Sequence, residues 1–151
     1  GYADDAALLA DIDSVVATCC AIKARIVEQD EFDTGLRMLL NFGHTLGHAV
    51  EQNFGYSCFT HGEGVAIGMY QLTKRTEELG MTAKGSAERI KSVLEKYNLP
   101  LTAGVEKAQL LDTMARDKKK NGNSITLIIL QQIGEGVLQK VDWQEVPKYL
   151  G

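Results

Sequence analysis

Apolar residues recur at helical spacing over most of this 151-residue chain. Between residues 8 and 27 they lie three or four positions apart, which predicts an amphipathic helix that the acidic stretch 28–35 ends. Similar spacing predicts four more helices, over residues 36–53, 62–79, 86–97 and 106–115. Gly80 follows the third predicted segment along the chain and suits a helix C-terminal cap.

The pattern changes after residue 123. The runs S-I-T-L-I-I-L (124–130) and V-L-Q-K-V (137–141) flank a glycine-containing turn, which predicts a β-hairpin. Asp142 is then expected to cap a final short helix that contains Trp143, with Pro147 near its first turn. No linker divides the chain, so we expect one mainly α domain, residues 1–151, with a small β-hairpin.

Composition narrows the class of protein. Apolar residues make up 44% and charged residues 24%, as in soluble globular domains. The net charge of −4 argues against a nucleic-acid binder, and no run of 18 apolar residues predicts a membrane span. Three cysteines are an odd number, which favours a reducing, cytoplasmic compartment with thiols that serve as small buried apolar residues.

All three histidines lie in one short stretch. His44 and His48 are four residues apart and share a helix face, and His61 follows beyond a predicted loop. Two ligands from one helix and one from a loop are typical of a metal or catalytic site. The alternative is three hydrogen-bonded structural histidines. H-T-L-G-H lacks the glutamate that follows the first histidine in zinc peptidases, because Thr45 stands there.

A wider polar stripe surrounds these histidines. Arg37, Asn41, His44, His48 and Glu51 follow one another at spacings of 4, 3, 4 and 3. If one helix spans them, all five project from the same face. The alternative is a solvated face, although such faces more often alternate lysine and glutamate.

Other positions are compatible with anion binding. Lys23 interrupts an apolar stripe, either as a lysine at the edge of the core or as an ammonium that points into a cleft. The segment A-R-D-K-K-K-N-G-N (115–123) is either a solvated turn or a phosphate or carboxylate clamp. Gly62, Gly64 and Gly68 allow close helix packing or the approach of backbone N–H groups to an anion.

Two motifs together resemble a known family. R-M-L-L-N-F-G-H-T-L-G-H-A-V-E (37–51), followed by H-G-E-G-V-A-I-G-M (61–69), resembles 3-dehydroquinate synthase, a sugar-phosphate cyclase of the shikimate pathway. A-I-K-A (21–24) and R-D-K-K fit the same family. The resemblance covers nearly the whole chain but only the helical C-terminal half of the family's two-domain α/β plus α proteins. Gly64 departs from the family, which usually has alanine there.

The resemblance implies a carbon–oxygen lyase of aromatic amino-acid biosynthesis. Such an enzyme converts 3-deoxy-D-arabino-heptulosonate 7-phosphate to 3-dehydroquinate and phosphate. The implied steps are alcohol oxidation, phosphate elimination, carbonyl reduction, ring opening and intramolecular aldol closure. The implied cofactors are catalytic NAD, bound mainly by an N-terminal domain, and zinc or cobalt. The implied setting is a cytoplasmic homodimer that contacts neither membrane nor nucleic acid.

Site residues can be carried over position by position. His44 and His61 resemble two of the three zinc ligands, and His48 resembles the catalytic histidine that contacts substrate and assists proton movement. Lys23 resembles a second catalytic and substrate-contacting residue. The remaining substrate-binding positions are Arg37, Asn41, and Lys118 or Lys119, with Lys119 slightly favoured. Glu63 has no role in the family and is expected to be a structural carboxylate at a helix start.

The family's third zinc ligand is a glutamate in a segment resembling L-A-E-x-x-K, which does not occur in this chain. The nucleotide-binding half is also absent. We therefore expect this chain to be one domain of a longer synthase and to be inactive alone. One alternative is another sugar-phosphate cyclase, whose substrate lacks the carboxylate. A second is a metal-dependent polyol dehydrogenase, which the two histidine motifs fit less well. The third is a non-catalytic metal-binding helical module.

Overall fold

A computed structural model describes residues 2–32 and 35–151, without the side chains of residues 116–121. The fold is mainly α with one two-stranded antiparallel sheet, as predicted. The helices are α1 (Asp5–Ala10), α2 (Ile12–Gln29), α3 (His44–Asn53), α4 (His61–Glu78), α5 (Ser86–Lys96) and α6 (Lys107–Asn121). The strands are β1 (Ser124–Gln132) and β2 (Glu135–Asp142). Two 3₁₀ helices cover Leu36–Asn41 and Val146–Tyr149.

The first predicted helix is two helices. The chain leaves the α conformation at Asp11, where φ is −116° and ψ is 12°, and the Asp11 N–H donates to the carbonyls of Leu8 and Leu9. Asp4 caps α1 by accepting a hydrogen bond from the Ala7 N–H. Helix α2 ends at the predicted acidic stretch, and neither helix contains a buried residue.

The second predicted helix, 36–53, is also interrupted. A 3₁₀ helix gives way to α3 at Gly43, whose φ of +80° lies in the left-handed region that favours glycine. A Cβ at Gly43 would also lie 2.6 Å from Met69 Cγ. The shared helix face predicted for Arg37, Asn41 and the histidines required one helix to span them, and that condition is not met, because Arg37 and Asn41 lie in the 3₁₀ helix and the histidines follow Gly43.

The chain forms two compact units, Gly1–Leu40 and Asn41–Gly151. In the second unit, α3 packs against α4 and α6, and α4 also packs against α5 and β1. The core of this unit joins α3, α4, α6, both strands and the C-terminal residues. Its buried members are Leu46, Ala49, Leu72, Met114, Leu127, Ile129, Val141, Val146 and Leu150.

The hairpin is confirmed. Ser124 pairs with Asp142 at its open end, an irregularity falls between Leu130 and Gln132, and Gly134 turns with a φ of +94°. The predicted helix cap at Asp142 is wrong, because this residue is still in β2. Trp143 extends the hairpin instead: its backbone N–H donates to the Asn123 carbonyl, so the last helix starts later.

The length of α6, the exposure of the cysteines and the hydropathy of the helices can also be compared with the sequence analysis. Helix α6 runs to Asn121, beyond the predicted end at residue 115, because the lysine-rich segment continues the helix rather than forming a turn. The cysteines were expected to be buried, but Cys19, Cys20 and Cys58 are all exposed. Within residues 2–32 and 35–151, no helix is both long enough and apolar enough to span a bilayer.

Candidate metal centre

Helices α3 and α4 cross with their backbones in contact. A Cβ at Gly68 would lie 2.1 Å from the Gly43 carbonyl oxygen, and a Cβ at Gly47 would lie 2.9 Å from the Gly64 carbonyl group. Side chains at these positions would push the helices apart, so glycine is required for the crossing. The first residue of α4 is thereby held beside the first two turns of α3.

The start of α4 is fixed by a capping box. Thr60 Oγ1 accepts from the Glu63 N–H, and the Glu63 carboxylate accepts from the Thr60 N–H at 2.8 Å. The hydrogen bond from the Thr60 backbone, with a second from its hydroxyl, lowers the pKa of Glu63. His61 is the first residue of the helix that this box begins, and Glu63 has the structural role expected of it.

The three histidine rings converge at the crossing. The ring centre of His44 lies 5.5 Å from that of His48 and 5.1 Å from that of His61, and the centres of His48 and His61 lie 5.6 Å apart. His44 is half-buried, whereas His48 and His61 are exposed. The cluster therefore opens to solvent on one side.

Two of these rings have their Nδ1 atoms engaged. His44 Nδ1 lies 3.2 Å from the Phe42 carbonyl oxygen, and His61 Nδ1 lies 3.1 Å from Glu51 Oε1. A carbonyl or a carboxylate can only accept here, so each Nδ1 must carry the hydrogen. In the neutral ring each Nε2 then keeps its lone pair, which is the arrangement found in metal-ligating histidines.

Glu51 lies beside the histidines, and the sequence assigned no role to it. Ligand atoms of His48, Glu51 and His61 all lie within 4.8 Å of one another, and Glu51 is only 5% exposed. Imidazole nitrogens and carboxylate oxygens are ordinary zinc ligands, so the residues fit a zinc ion. The signal in the sequence was the place of Glu51 at the end of the polar stripe, three residues after His48.

The predicted anion-binding residues lie elsewhere along the chain. Lys23 is exposed on α2, and the Arg37 guanidinium donates to the Glu31 carbonyl at 2.8 Å; both belong to the first unit. Asn41 is exposed at the start of the second unit. The side chains of Lys118 and Lys119 lie outside the described residues, although both positions are within α6.

Several solved structures share this fold. A 2-deoxy-scyllo-inosose synthase complexed with carbaglucose-6-phosphate, NAD+ and Co2+ matches with a TM-score of 0.75 and 19% identity. The match covers 92% of this chain and 40% of that synthase. A 2-epi-5-epi-valiolone synthase from Streptomyces hygroscopicus, with NAD+ and Zn2+ bound, matches with a TM-score of 0.68 and 20% identity. This match covers 83% of this chain and 35% of that synthase.

Curated relatives found by sequence share a higher identity with this chain than these solved structures do. The 3-dehydroquinate synthase of Clostridium acetobutylicum is 46% identical over 150 residues, which are 99% of this chain and 42% of that protein. That of Clostridium beijerinckii is 47% identical over 133 residues, 87% of this chain and 38% of that protein. The chain thus spans less than half the length of these relatives. The family model described as 3-dehydroquinate synthase C-terminal matches residues 4–120, and this chain belongs to that family.

Proposed function

We propose that residues 1–151 are the metal- and substrate-binding domain of a 3-dehydroquinate synthase. The reaction would convert 3-deoxy-D-arabino-heptulosonate 7-phosphate to 3-dehydroquinate and phosphate, with catalytic NAD and zinc or cobalt. Family membership supports the assignment, and the observation that carries the chemistry is the histidine cluster in which two Nδ1 atoms face oxygen acceptors.

His44 and His61 would hold the zinc ion through Nε2, since their Nδ1 atoms are engaged by acceptors. When bound, zinc supplies Lewis-acid polarisation of a substrate hydroxyl and later of a carbonyl. His48 is exposed, with its ring centre 5.5 Å from that of His44 and 5.6 Å from that of His61, and would hold or move a proton at its ring nitrogens, as imidazoles do near neutral pH.

The substrate carries a phosphate and a carboxylate, which require cations and hydrogen-bond donors. Lys23, Arg37 and Asn41 would provide these groups, with Lys119 or Lys118 as a further ammonium. In our proposal, the third zinc ligand and most of the NAD site come from the part of the relatives that this chain does not match. The complete enzyme would be a cytoplasmic homodimer.

A chimeric enzyme tests this proposal. This chain replaces the matching 42% of the C. acetobutylicum relative, and phosphate release is measured with the heptulosonate phosphate, NAD+ and zinc. We expect turnover by the chimera and none by this chain alone. A folded, NAD-binding chimera without phosphate release would contradict the proposal, provided that the unaltered relative is active.

Variants of the same chimera test the residue roles. His61→Ala should abolish zinc-dependent turnover. Lys23→Met should lower kcat/KM by at least 10-fold, whereas Lys74→Met, which changes an exposed lysine of α4, should leave it unchanged. An equal kcat/KM for the two lysine variants would remove Lys23 from the site.

Another sugar-phosphate cyclase is the second candidate, favoured by the fold shared with the inosose and valiolone synthases. Those two synthases are 19% and 20% identical to this chain, whereas the dehydroquinate synthases of C. acetobutylicum and C. beijerinckii are 46% and 47% identical to it. Arg37→Met separates the two candidates. If the Arg37→Met chimera loses turnover of the carboxylate-bearing substrate, the first candidate is favoured. If the chimera turns over only sugar phosphates that lack the carboxylate, the second candidate is favoured.

A further inference from the structure

We infer that Glu51 is a positioning residue for His61: it fixes the ring tautomer that leaves Nε2 free for a metal ion. This inference rests on the proposed function, because it concerns the same metal centre. Glu51 lies in the last turn of α3, and His61 is the first residue of α4. The 3.1 Å hydrogen bond between Oε1 and Nδ1 therefore joins the two helices at the site.

The burial of Glu51 points to this role. Its side chain is 6% exposed, whereas the side chain of His61 is 57% exposed. A buried carboxylate is unfavourable unless hydrogen bonds or a positive charge compensate for it. Among the described residues, His61 Nδ1 is the partner found for the Glu51 carboxylate. A cation on the opposite ring nitrogen would complete the compensation.

Gly64 makes room for this contact. A Cβ at position 64 would lie 3.1 Å from Glu51 Cγ and 3.5 Å from Glu51 Cδ. The stem of Glu51 therefore lies against the backbone of α4, one turn beyond His61. The side chain of Glu51 extends from α3 and contacts α4 twice, through its stem at Gly64 and through its carboxylate at His61.

The competing assignment makes Glu51 a direct metal ligand, since ligand atoms of His48, Glu51 and His61 lie within 4.8 Å of one another. The hydrogen bond to His61 favours positioning, because a carboxylate that orients a ligating imidazole binds its far nitrogen in this way. The two roles differ in what they require: positioning needs an acceptor oxygen, whereas direct ligation needs the negative charge.

Zinc affinity of this chain, measured by competition with a chromogenic chelator, separates these roles in the variants Glu51→Gln and Glu51→Ala. The amide oxygen of glutamine can still accept from Nδ1, so we expect affinity within about 3-fold of the unaltered chain. Alanine should lower it by about 10- to 100-fold, the usual effect of losing such a partner. An equal loss in both variants would make Glu51 a ligand, and no loss in either would remove it from the centre.

A second readout needs no metal. In the zinc-free chain, the ¹⁵N shifts of the His61 ring at pH 8 should report hydrogen on Nδ1, and Glu51→Ala should shift the ring toward the other tautomer. His61→Asn identifies the signals. An unchanged tautomer in Glu51→Ala would overturn the positioning role. If the chimera that supplies the third ligand binds no zinc while the tautomer of this chain changes as expected, the metal proposal fails and the Glu51–His61 contact stands.

Discussion

Thr73 and Thr76 lie on the same helix, are fully buried and differ in hydrogen bonding. The Thr73 hydroxyl has no partner among the described residues. The Thr76 hydroxyl lies 2.6 Å from Thr82 Oγ1, which donates to the Leu130 carbonyl at 2.7 Å. The Thr76 hydroxyl also lies 3.0 Å from the Leu72 carbonyl oxygen, so it has partners both as a donor and as an acceptor. The same change to valine at the two positions should therefore shift stability in opposite directions.

The expected magnitudes follow from this difference. A buried polar group without a partner costs about 1–3 kcal/mol, so Thr73→Val should raise the free energy of unfolding by about 1 kcal/mol. Thr76→Val removes a hydrogen bond that joins α4 to Thr82 and should lower it by about 1–2 kcal/mol. Threonine and valine have similar helix propensities, so this contribution cancels in the comparison.

Equilibrium urea unfolding measures both effects. Trp143 is the single tryptophan and packs against the core of the second unit, so its fluorescence follows the unit that contains both threonines. The midpoint should rise for Thr73→Val and fall for Thr76→Val, with slopes equal to that of the unaltered chain. A gap between the variants of less than about 0.5 kcal/mol would refute the hydrogen-bonding argument.

Two further matched pairs test the packing and the charges. Gly68→Ala places a Cβ 2.1 Å from the carbonyl oxygen of Gly43 and should destabilise the chain by at least about 2 kcal/mol. Gly62→Ala, whose Cβ meets nothing outside its own helix within 4 Å, should be neutral or slightly stabilising, and equal melting temperatures would contradict this. Glu77 accepts from the Ala87 N–H at the start of α5, and this bond lowers the pKa of Glu77 from its ordinary value. Glu77→Gln should therefore lower the free energy of unfolding by about 0.5–1 kcal/mol at pH 7, a modest value because solvent screens the carboxylate. This deficit should vanish as pH falls through the lowered pKa. The control Glu95→Gln changes an exposed glutamate and should show no such pH-dependent deficit. A deficit that persists at pH 2 in urea titrations would show that charge is not its source.

Local patterns predicted the second unit well. The α4 and α5 segments and the hairpin are each long, periodic and bounded by glycine or a change of pattern, and their existence and type were correct. Burial of one face is enough to specify such elements. The error at Trp143 has a different origin, since its hydrogen bond to Asn123 joins residues on opposite sides of the hairpin.

The interruptions were not predictable from periodicity. Apolar spacing continues through both Asp11 and Gly43, so it carries no sign of a break. The close approach of Val65 and Met69, which lie on another helix, leaves no room for a Cβ at Gly43. Contacts between elements that are distant in sequence override local preference at such points.

The site shows the same division between local and distant information. The spacing of the histidines was visible in the sequence, but the role of Glu51 was not. A glutamate at the end of a polar stripe reads as solvated, and only its burial and its contact with His61 distinguish it. Two elements must be in place before that contact exists.

The motif G-H-T-L-G-H combines packing and chemistry in one helix. Gly43 and Gly47 are four residues apart and contact α4, and each is followed directly by a histidine. Consecutive helical residues are about 100° apart around the axis, so His44 and His48 lie at the edge of the glycine contact rather than within it. The glycines bring the helices close enough for His61 to meet both rings. Substitution of these glycines should therefore weaken zinc binding even though none of them carries a ligand.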